Sequence, residues 1–224
     1  MNELKAPGSS VAERGRSRSN GRVKQASPSE AVQEAARLIR ERRTIRSFAK
    51  RPVSGSELTA LLRQAAHAVT LEHEADALRF LVFATEEGKR KAGAAIMSGY
   101  FRWMPGKWLQ AMAERVAKIP AIVAVIRRES ADEAANDRQV AAACAIVHSF
   151  TLLAWERKLG LTWNTDAVME HGALTSGIGL AADERLVSLL YVGEYDKLPK
   201  GKRRTPAGHK WTVLGQTSVM EEKA

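Results

Sequence analysis

The chain has 224 residues, of which 45% are hydrophobic, and 35 basic against 25 acidic side chains give it a formal net charge of +10. This length is enough for one compact domain with a substantial core, and a single cysteine excludes a disulfide scaffold and a zinc site built from several thiolates. A charge of this size suggests an anionic partner, which could be nucleic acid, a membrane surface or a phosphorylated ligand.

The first 27 residues are typical of a disordered basic tail. They are rich in Ser, Gly and Arg and lack apolar periodicity. No apolar stretch follows the early basic residues, and no long uninterrupted apolar run occurs further along, so we expect neither a secretory signal nor a membrane span. The sequence therefore predicts a cytoplasmic protein with a tail, residues 1–27, and a folded domain, residues 28–224.

Two helix starts are marked by capping patterns. Ser27 and Glu30 form a capping box around a proline at the first helical position, which predicts a helix that continues to Arg43. The same pattern at 54–57 predicts a second helix with Leu58 and the leucines after it on its apolar face.

Strands and helices alternate through the rest of the chain. Apolar runs predict strands over 79–84, 121–126 and 161–165 and within 184–195, and periodicity predicts helices over 86–104, 107–119 and 132–158. The last of these helices is almost wholly apolar from Val140 to Trp155, which places it in the middle of the structure or at a dimer interface. The resulting order, α-α-β-α-α-β-α-β-α-β, predicts an α+β or α/β sandwich in which helices outweigh the sheet.

Several patterns that can signal a site lack the context that the site requires. Residues 177–182 match G-x-G-x-x-A, but no strand precedes them, so we expect a tight connection and no pyrophosphate site. Residues 72–74, Glu-His-Glu, have no second histidine at ligand spacing, and we expect a solvated loop and no metal. Cys144 and His148 fall on the apolar helix, where we expect an inert thiol and a core or interface histidine.

The positive charge is concentrated in three segments. Besides the tail, residues 34–51 hold seven basic and two acidic side chains, and residues 197–210 hold six basic and no acidic ones. In an extended stretch Arg42, Thr44 and Arg46 would point the same way. Two guanidiniums and a hydroxyl on one side suit a phosphate dianion, although a solvated basic turn is the alternative.

The stretch from Arg42 to Val53 resembles the opening motif of the FMN-dependent nitroreductase family, R-R-S-x-R-x-F followed by P-V, with Thr44 in place of the serine. Residues 153–165, 189–194 and 202–206 resemble three later motifs of the family in the same order. The resemblance covers roughly residues 29–215 and is greatest to the small NAD(P)H nitroreductases.

This resemblance implies an α/β/α sandwich with a mostly antiparallel central sheet and a long central helix, and a homodimer that binds FMN at the subunit interface. It also implies a set of cofactor-binding residues: Arg42, Arg43, Thr44, Arg46, Trp163, Asn164, Thr165, Lys202 and Arg204. Within this set Arg43 and Lys202 would line the ribityl chain or ring edge, and Trp163, Asn164 and Thr165 would lie by the ring. The phosphate would be held by the remaining four residues, Arg42, Thr44, Arg46 and Arg204.

The function that the resemblance implies is reduction of nitroaromatic or quinone-like acceptors by NAD(P)H. The flavin would carry the hydride in a ping-pong scheme, so no catalytic side chain is expected. One region departs from the family pattern, because the Pro, Asn and Pro-Trp that precede the first strand in other members are missing. Thr70, His73 or Asp76 could replace one of the lost ring contacts.

Two alternatives therefore stay open. A flavin-binding relative without reductase turnover would account for the departure around residues 69–78. A nucleic-acid-binding protein would account for the charge, but only 6% of the residues are aromatic and no stacking surface is evident.

Overall fold

A computed structural model of the chain describes residues 28–69, 76–100 and 105–201. Contacts divide the chain into two units, Met1–Arg37 and Leu38–Ala224. In the first unit the described residues, 28–37, are helical, and Arg37 donates through Nε to Glu34 one turn earlier at 2.9 Å. The predicted boundary between tail and domain at residue 27 lies at the edge of the described range and stays a prediction.

The helices and strands follow one another in the predicted order. The helices are α1 Pro28–Glu41, α2 Gly55–His67, α3 Glu86–Tyr100, α4 Gly106–Ala117, α5 Glu133–Glu156 and α6 Gly172–Ile178, and the strands are β1 Leu78–Phe83, β2 Ala121–Arg128, β3 Leu159–Asn164 and β4 Glu184–Glu194. A short 3₁₀ turn, Ala167–Glu170, precedes α6. The second predicted capping pattern is confirmed, since the Ser54 side chain accepts a hydrogen bond from the backbone N–H of Glu57.

The four strands form one sheet in the order β1-β2-β4-β3, and every neighbouring pair is antiparallel. A β-bulge interrupts the pairing of β2 with β4 between Val125 and Ile126. Strand β3 lies at an edge of the sheet, where a single parallel bridge joins Leu161 to Thr44. The basic stretch after α1 therefore meets the sheet at β3.

Helices cover both faces of this sheet. Residues of α2 and α5, including Leu58 and Phe150, form one buried cluster with the strands, and residues of α3 and α6, including Ile96 and Leu174, form a second cluster on the opposite face. Helix α5 is long and apolar enough to cross a membrane, but half of its apolar window is buried in the protein, as expected of a core helix. The predicted α+β sandwich with a long central helix is confirmed.

The glycines of the G-x-G-x-x-A match have structural roles. A Cβ on Gly177 would lie 2.6 Å from the Cβ of Ala95, so this glycine allows α6 to approach α3 closely. Gly179 ends α6 in the left-handed region with φ +83°, where glycine is favoured. The predicted connection is confirmed, and the phosphate-binding arrangement of strand, loop and helix N-terminus is not formed by these residues.

Two further candidate residues from the sequence, Cys144 and His148, lie on α5. Cys144 is a free, partly buried thiol. His148 is exposed, so the core alternative is wrong for it and the interface alternative stays a prediction. Among the described residues no three His, Cys, Asp or Glu side chains are grouped as metal ligands would be.

Candidate functional site

The basic segment, residues 42–48, runs along the free edge of β3. The backbone N–H of Ile45 donates to the carbonyl of Leu161 at 3.1 Å, and the Thr162 hydroxyl donates to the carbonyl of Ile45. Ile45 is 1% exposed, and its side chain packs directly over Gly160, where any Cβ would clash with it. The fold thus joins the first and second motifs of the family resemblance, although Ile45 and Thr162 lie 117 positions apart.

The anchored Ile45 determines which way its neighbours point. Because side chains alternate in extended backbone, Thr44 and Arg46 project away from the core that Ile45 enters. Arg46 is exposed and makes no hydrogen bond or ion pair with any residue that the structure describes. Its guanidinium is therefore available to an external anion.

Arg43 has an internal role at the end of α1. Its Nη1 donates to the carbonyls of Arg40 at 2.8 Å, Glu41 at 2.7 Å and Arg42 at 3.2 Å. Arg40 and Glu41 belong to the last turn of α1, so the guanidinium caps the helix there. A Cβ on Gly201 would lie 3.4 Å from Nη2 of Arg43, so the chain reaches the basic segment just before Lys202. Lys202 and Arg204 themselves lie outside the described residues.

A cavity of about 280 Å³ opens beside β3. Its apolar lining residues are Phe48, Met112, Val116, Ile119 and Trp163. Most of its polar lining, called the polar wall below, consists of Arg46, Tyr100, Arg115, Asn164, Asp166 and Tyr191. Arg46, Trp163 and Asn164 of the predicted set thus meet at one cavity, whereas Arg42, Arg43, Thr44 and Thr165 do not line it.

Asn164 lies at the centre of a hydrogen-bond network in the polar wall. The Tyr100 hydroxyl donates to Oδ2 of Asp166 at 2.9 Å, and the backbone N–H of Asp166 donates to Oδ1 of Asn164 at 3.0 Å. Nδ2 of Asn164 in turn donates to the Tyr191 hydroxyl oxygen at 3.3 Å. The network crosses from α3 through the end of β3 to β4.

Both tyrosines of this network hold their protons strongly. Burial, helped by the hydrogen bond to Asp166, raises the pKa of Tyr100 to about 12. Burial also raises the pKa of Tyr191, and the nearby negative charge of Asp166 acts in the same direction. Near neutral pH both hydroxyls are therefore neutral hydrogen-bond donors.

The sequence prediction missed Tyr100, Arg115, Asp166 and Tyr191. Tyr191 stands opposite Thr162 in the pairing of β3 with β4, so a correct strand alignment would have identified it. Arg115 and Tyr100 belong to helices on the same face of the sheet, and no local pattern signals them. Asp76 is exposed and does not line the cavity, and Thr70 and His73 lie outside the described residues.

Arg79 on β1 forms an ion pair with Glu184, the first residue of β4. Its Nε donates to Oε1 of Glu184 at 2.7 Å and its Nη2 pairs with the other carboxylate oxygen. The backbone N–H of Ala181 also donates to Glu184, at 2.9 Å. These bonds, chiefly those from Arg79, hold the pKa of the Glu184 carboxyl below its usual range.

The sheet and its two helical layers form the sandwich that the family resemblance implied, and the cavity lies at β3. Residues 39–194 match the model of the nitroreductase family, and the chain belongs to that family. The family predicted from the sequence is thus confirmed, and with it an oxidoreductase of the nitroreductase type.

Individual relatives agree with this assignment. YfhC of Bacillus subtilis (strain 168), an NAD(P)H nitroreductase by name, is 28% identical over 79% of this chain and 92% of its own length. A nitroreductase-like family protein from Bacillus cereus is 31% identical with a TM-score of 0.74, over 81% of this chain and 96% of that one. A mutant of NfnB, the FMN- and NADPH-dependent nitroreductase of sphigopyxis sp. strain HMH, has the same fold at 16% identity, with a TM-score of 0.66 over 81% and 99% of the two chains.

Proposed function

We propose that this protein is an FMN-dependent oxidoreductase that takes a hydride from NAD(P)H and reduces nitroaromatic or quinone-like acceptors in a ping-pong scheme. The observation that carries the proposal is the attachment of the basic segment to β3 through Ile45 and Leu161. This contact brings Arg46 to the cavity that Trp163 and Asn164 also line. Residues that were expected to bind one cofactor are thereby neighbours in space.

The donor set fits the phosphate of FMN. A phosphate dianion needs several fixed donors that have no internal partner, and arginine suits it because its guanidinium donates two parallel hydrogen bonds. Arg46 provides such a guanidinium, and Thr44 projects from the same side of the basic segment. Gly201, packed on Arg43, precedes two basic residues that lie outside the described part of the chain. The family resemblance assigns Arg204 to the same phosphate and Lys202 to the ribityl chain or ring edge.

The cavity walls fit a planar ring. Apolar side chains such as Phe48, Met112 and Ile119 can cover the faces of an aromatic system, and a few polar groups then fix its orientation. The chemistry that FMN supplies is hydride transfer between NAD(P)H and the acceptor. The protein has to bind, orient and shield the reactants, so no side-chain nucleophile or general base is required.

The test is FMN binding to the full chain after removal of any bound flavin. Loss of a charge-assisted hydrogen bond is worth about 1.5–3 kcal/mol, so Arg46→Ala should weaken FMN binding roughly ten- to hundredfold, as measured by quenching of flavin fluorescence. Arg63→Ala is the matched control, because Arg63 is an exposed arginine on α2 away from the cavity. Equal FMN affinity in the Arg46 and Arg63 variants would contradict the assignment.

A second candidate function is flavin binding without turnover. The missing Pro, Asn and Pro-Trp before β1 favour it, because in the family pattern this region contacts the ring. Anaerobic addition of NADPH distinguishes the two functions, since the FMN of a reductase loses its visible absorbance and that of a mere binder does not. The homodimer with FMN at its interface and the cytoplasmic location are further parts of the proposal that rest on the family resemblance.

A further inference from the structure

The direction of the hydrogen bonds in the polar wall follows from which atoms can only donate. A backbone N–H can only donate, so the atom of Asn164 that faces the N–H of Asp166 must be the carbonyl oxygen. The amide nitrogen of Asn164 therefore faces the hydroxyl of Tyr191. If the amide of Asn164 turned over, its NH₂ would face the N–H of Asp166 and that hydrogen bond would be lost.

The fixed amide in turn orients the Tyr191 hydroxyl. An amide NH₂ only donates, so the Tyr191 oxygen is the acceptor in this contact. The hydroxyl hydrogen has no acceptor among residues 28–69, 76–100 and 105–201. The hydroxyl of Tyr100, by contrast, donates to the Asp166 carboxylate. Of the two tyrosines in the network, Tyr191 alone has a donor to offer to a molecule in the cavity.

The surroundings indicate which acceptor this donor suits. A neutral hydroxyl, near the negative charge of Asp166 and in a cavity that Phe48 and Met112 also line, favours an uncharged oxygen on a planar, largely apolar ring. Arg115 lines the same cavity, and its guanidinium makes no hydrogen bond or ion pair within the described part of the chain. Its charge would stabilise electron density that moves onto such an oxygen.

We propose that Tyr191 donates a hydrogen bond to a conjugated carbonyl oxygen of the molecule bound in the cavity, with Asn164 and Asp166 as positioning residues. Two sources of this chemistry are possible, a carbonyl of the flavin ring and the carbonyl of a quinone acceptor. The inference deepens the proposed function and rests on it for the flavin source. The quinone source can be tested on protein without flavin.

The experiment compares Tyr191→Phe with Tyr195→Phe in the full chain. Tyr195 follows β4 and stacks on Trp155 with ring centroids 5.3 Å apart, so the control also loses one hydroxyl near the same strand. The measurements are the Kd for FMN, the position of the visible flavin band, the KM and kcat with menadione, and menadione binding to flavin-free protein by quenching of tryptophan fluorescence.

Tyr191→Phe should lower the affinity for one of the two ligands, FMN or menadione, about two- to tenfold, which is the usual effect of losing one neutral hydrogen bond. Weaker FMN binding with a shifted flavin band identifies the flavin carbonyl as the acceptor. Unchanged FMN binding, with a raised KM for menadione and weaker menadione quenching, identifies the quinone. If both ligands bind as they do to Tyr195→Phe, the inference is overturned.

Asn164→Asp tests the orientation itself. A carboxylate still accepts from the N–H of Asp166, but its second oxygen would also accept a hydrogen bond from the Tyr191 hydroxyl. The hydroxyl would then no longer be free to donate to a molecule in the cavity. This variant should lose as much affinity as Tyr191→Phe, and the double variant should lose no more than either alone. Additive losses would show that Tyr191 acts independently of Asn164. If wild-type protein binds no FMN at all, the proposed function fails, and menadione quenching alone decides the inference.

Discussion

Truncation of Ile45 tests whether the basic segment depends on its anchor in the core. The side chain is 1% exposed and lies directly over Gly160. Ile→Ala substitutions at buried sites cost about 2–5 kcal/mol, and the cost is greater where neighbours cannot fill the space. Gly160 has no side chain that could fill the space left by the truncation. We therefore expect Ile45→Ala to lower the free energy of unfolding by about 3 kcal/mol and Ile45→Val by about 1 kcal/mol.

The assay is urea unfolding of flavin-free protein, because a bound ligand would add its own stabilisation. A total stability of about 5–15 kcal/mol leaves Ile45→Ala folded at 25 °C, so its FMN affinity can be measured and should fall together with stability. Ile39→Ala is the control, since that side chain is 50% exposed and should change stability by less than about 0.5 kcal/mol. A cost below about 1 kcal/mol for Ile45→Ala would refute the anchoring role.

Three further predictions follow from other contacts. Because Arg79 lowers the pKa of Glu184, the stabilisation by this pair is fully present above the carboxyl's ordinary pKa of 4.5 and is lost as the pH falls from there through the lowered pKa. Glu184→Gln should therefore flatten the acid limb of a plot of urea midpoint against pH. Gly177→Ala should cost about 1–3 kcal/mol in urea unfolding through overpacking, whereas Gly172→Ala, where a Cβ meets nothing within 4 Å, should cost much less. Since the pKa of Tyr100 is raised from 10.0 to about 12, its contribution to stability should disappear as the pH rises through that interval, and Tyr100→Phe should remove one late step from the ultraviolet titration of tyrosinate.

Local sequence signals predicted the elements of this fold well. The capping serine at position 54 and the apolar periodicity of α5 each act within a few residues, so their consequences can be inferred without a tertiary structure. The predictions from periodicity needed only the repeats of helix and strand.

The composition of the site depended on contacts that no local pattern records. The network through Asn164 requires the register that puts Tyr191 opposite Thr162, and it requires α3 to end beside the connection after β3. The helix-capping role of Arg43 depends on a side-chain conformation rather than on spacing. Sequence analysis therefore found β3 and the basic segment beside the cavity, and it missed four of the polar residues that line it: Tyr100, Arg115, Asp166 and Tyr191.

The arrangement of charges bears on the meaning of the +10 net charge. Arg51 pairs with Asp196 at 2.8 Å, Arg79 with Glu184 and Arg128 with Asp183 at 3.7 Å, so these cations are already partnered within the fold. Arg46 and Arg115 have no such partner among the described residues, and they face one cavity. If a few donors hold a phosphate there, its affinity should depend only weakly on salt concentration. Contacts along a nucleic acid backbone instead lower log K against log[salt] with a slope of about −0.9 for each phosphate neutralised. A shallow slope for FMN, with no tight binding of duplex DNA at the same ionic strength, would assign the cavity's positive charge to a small anionic ligand.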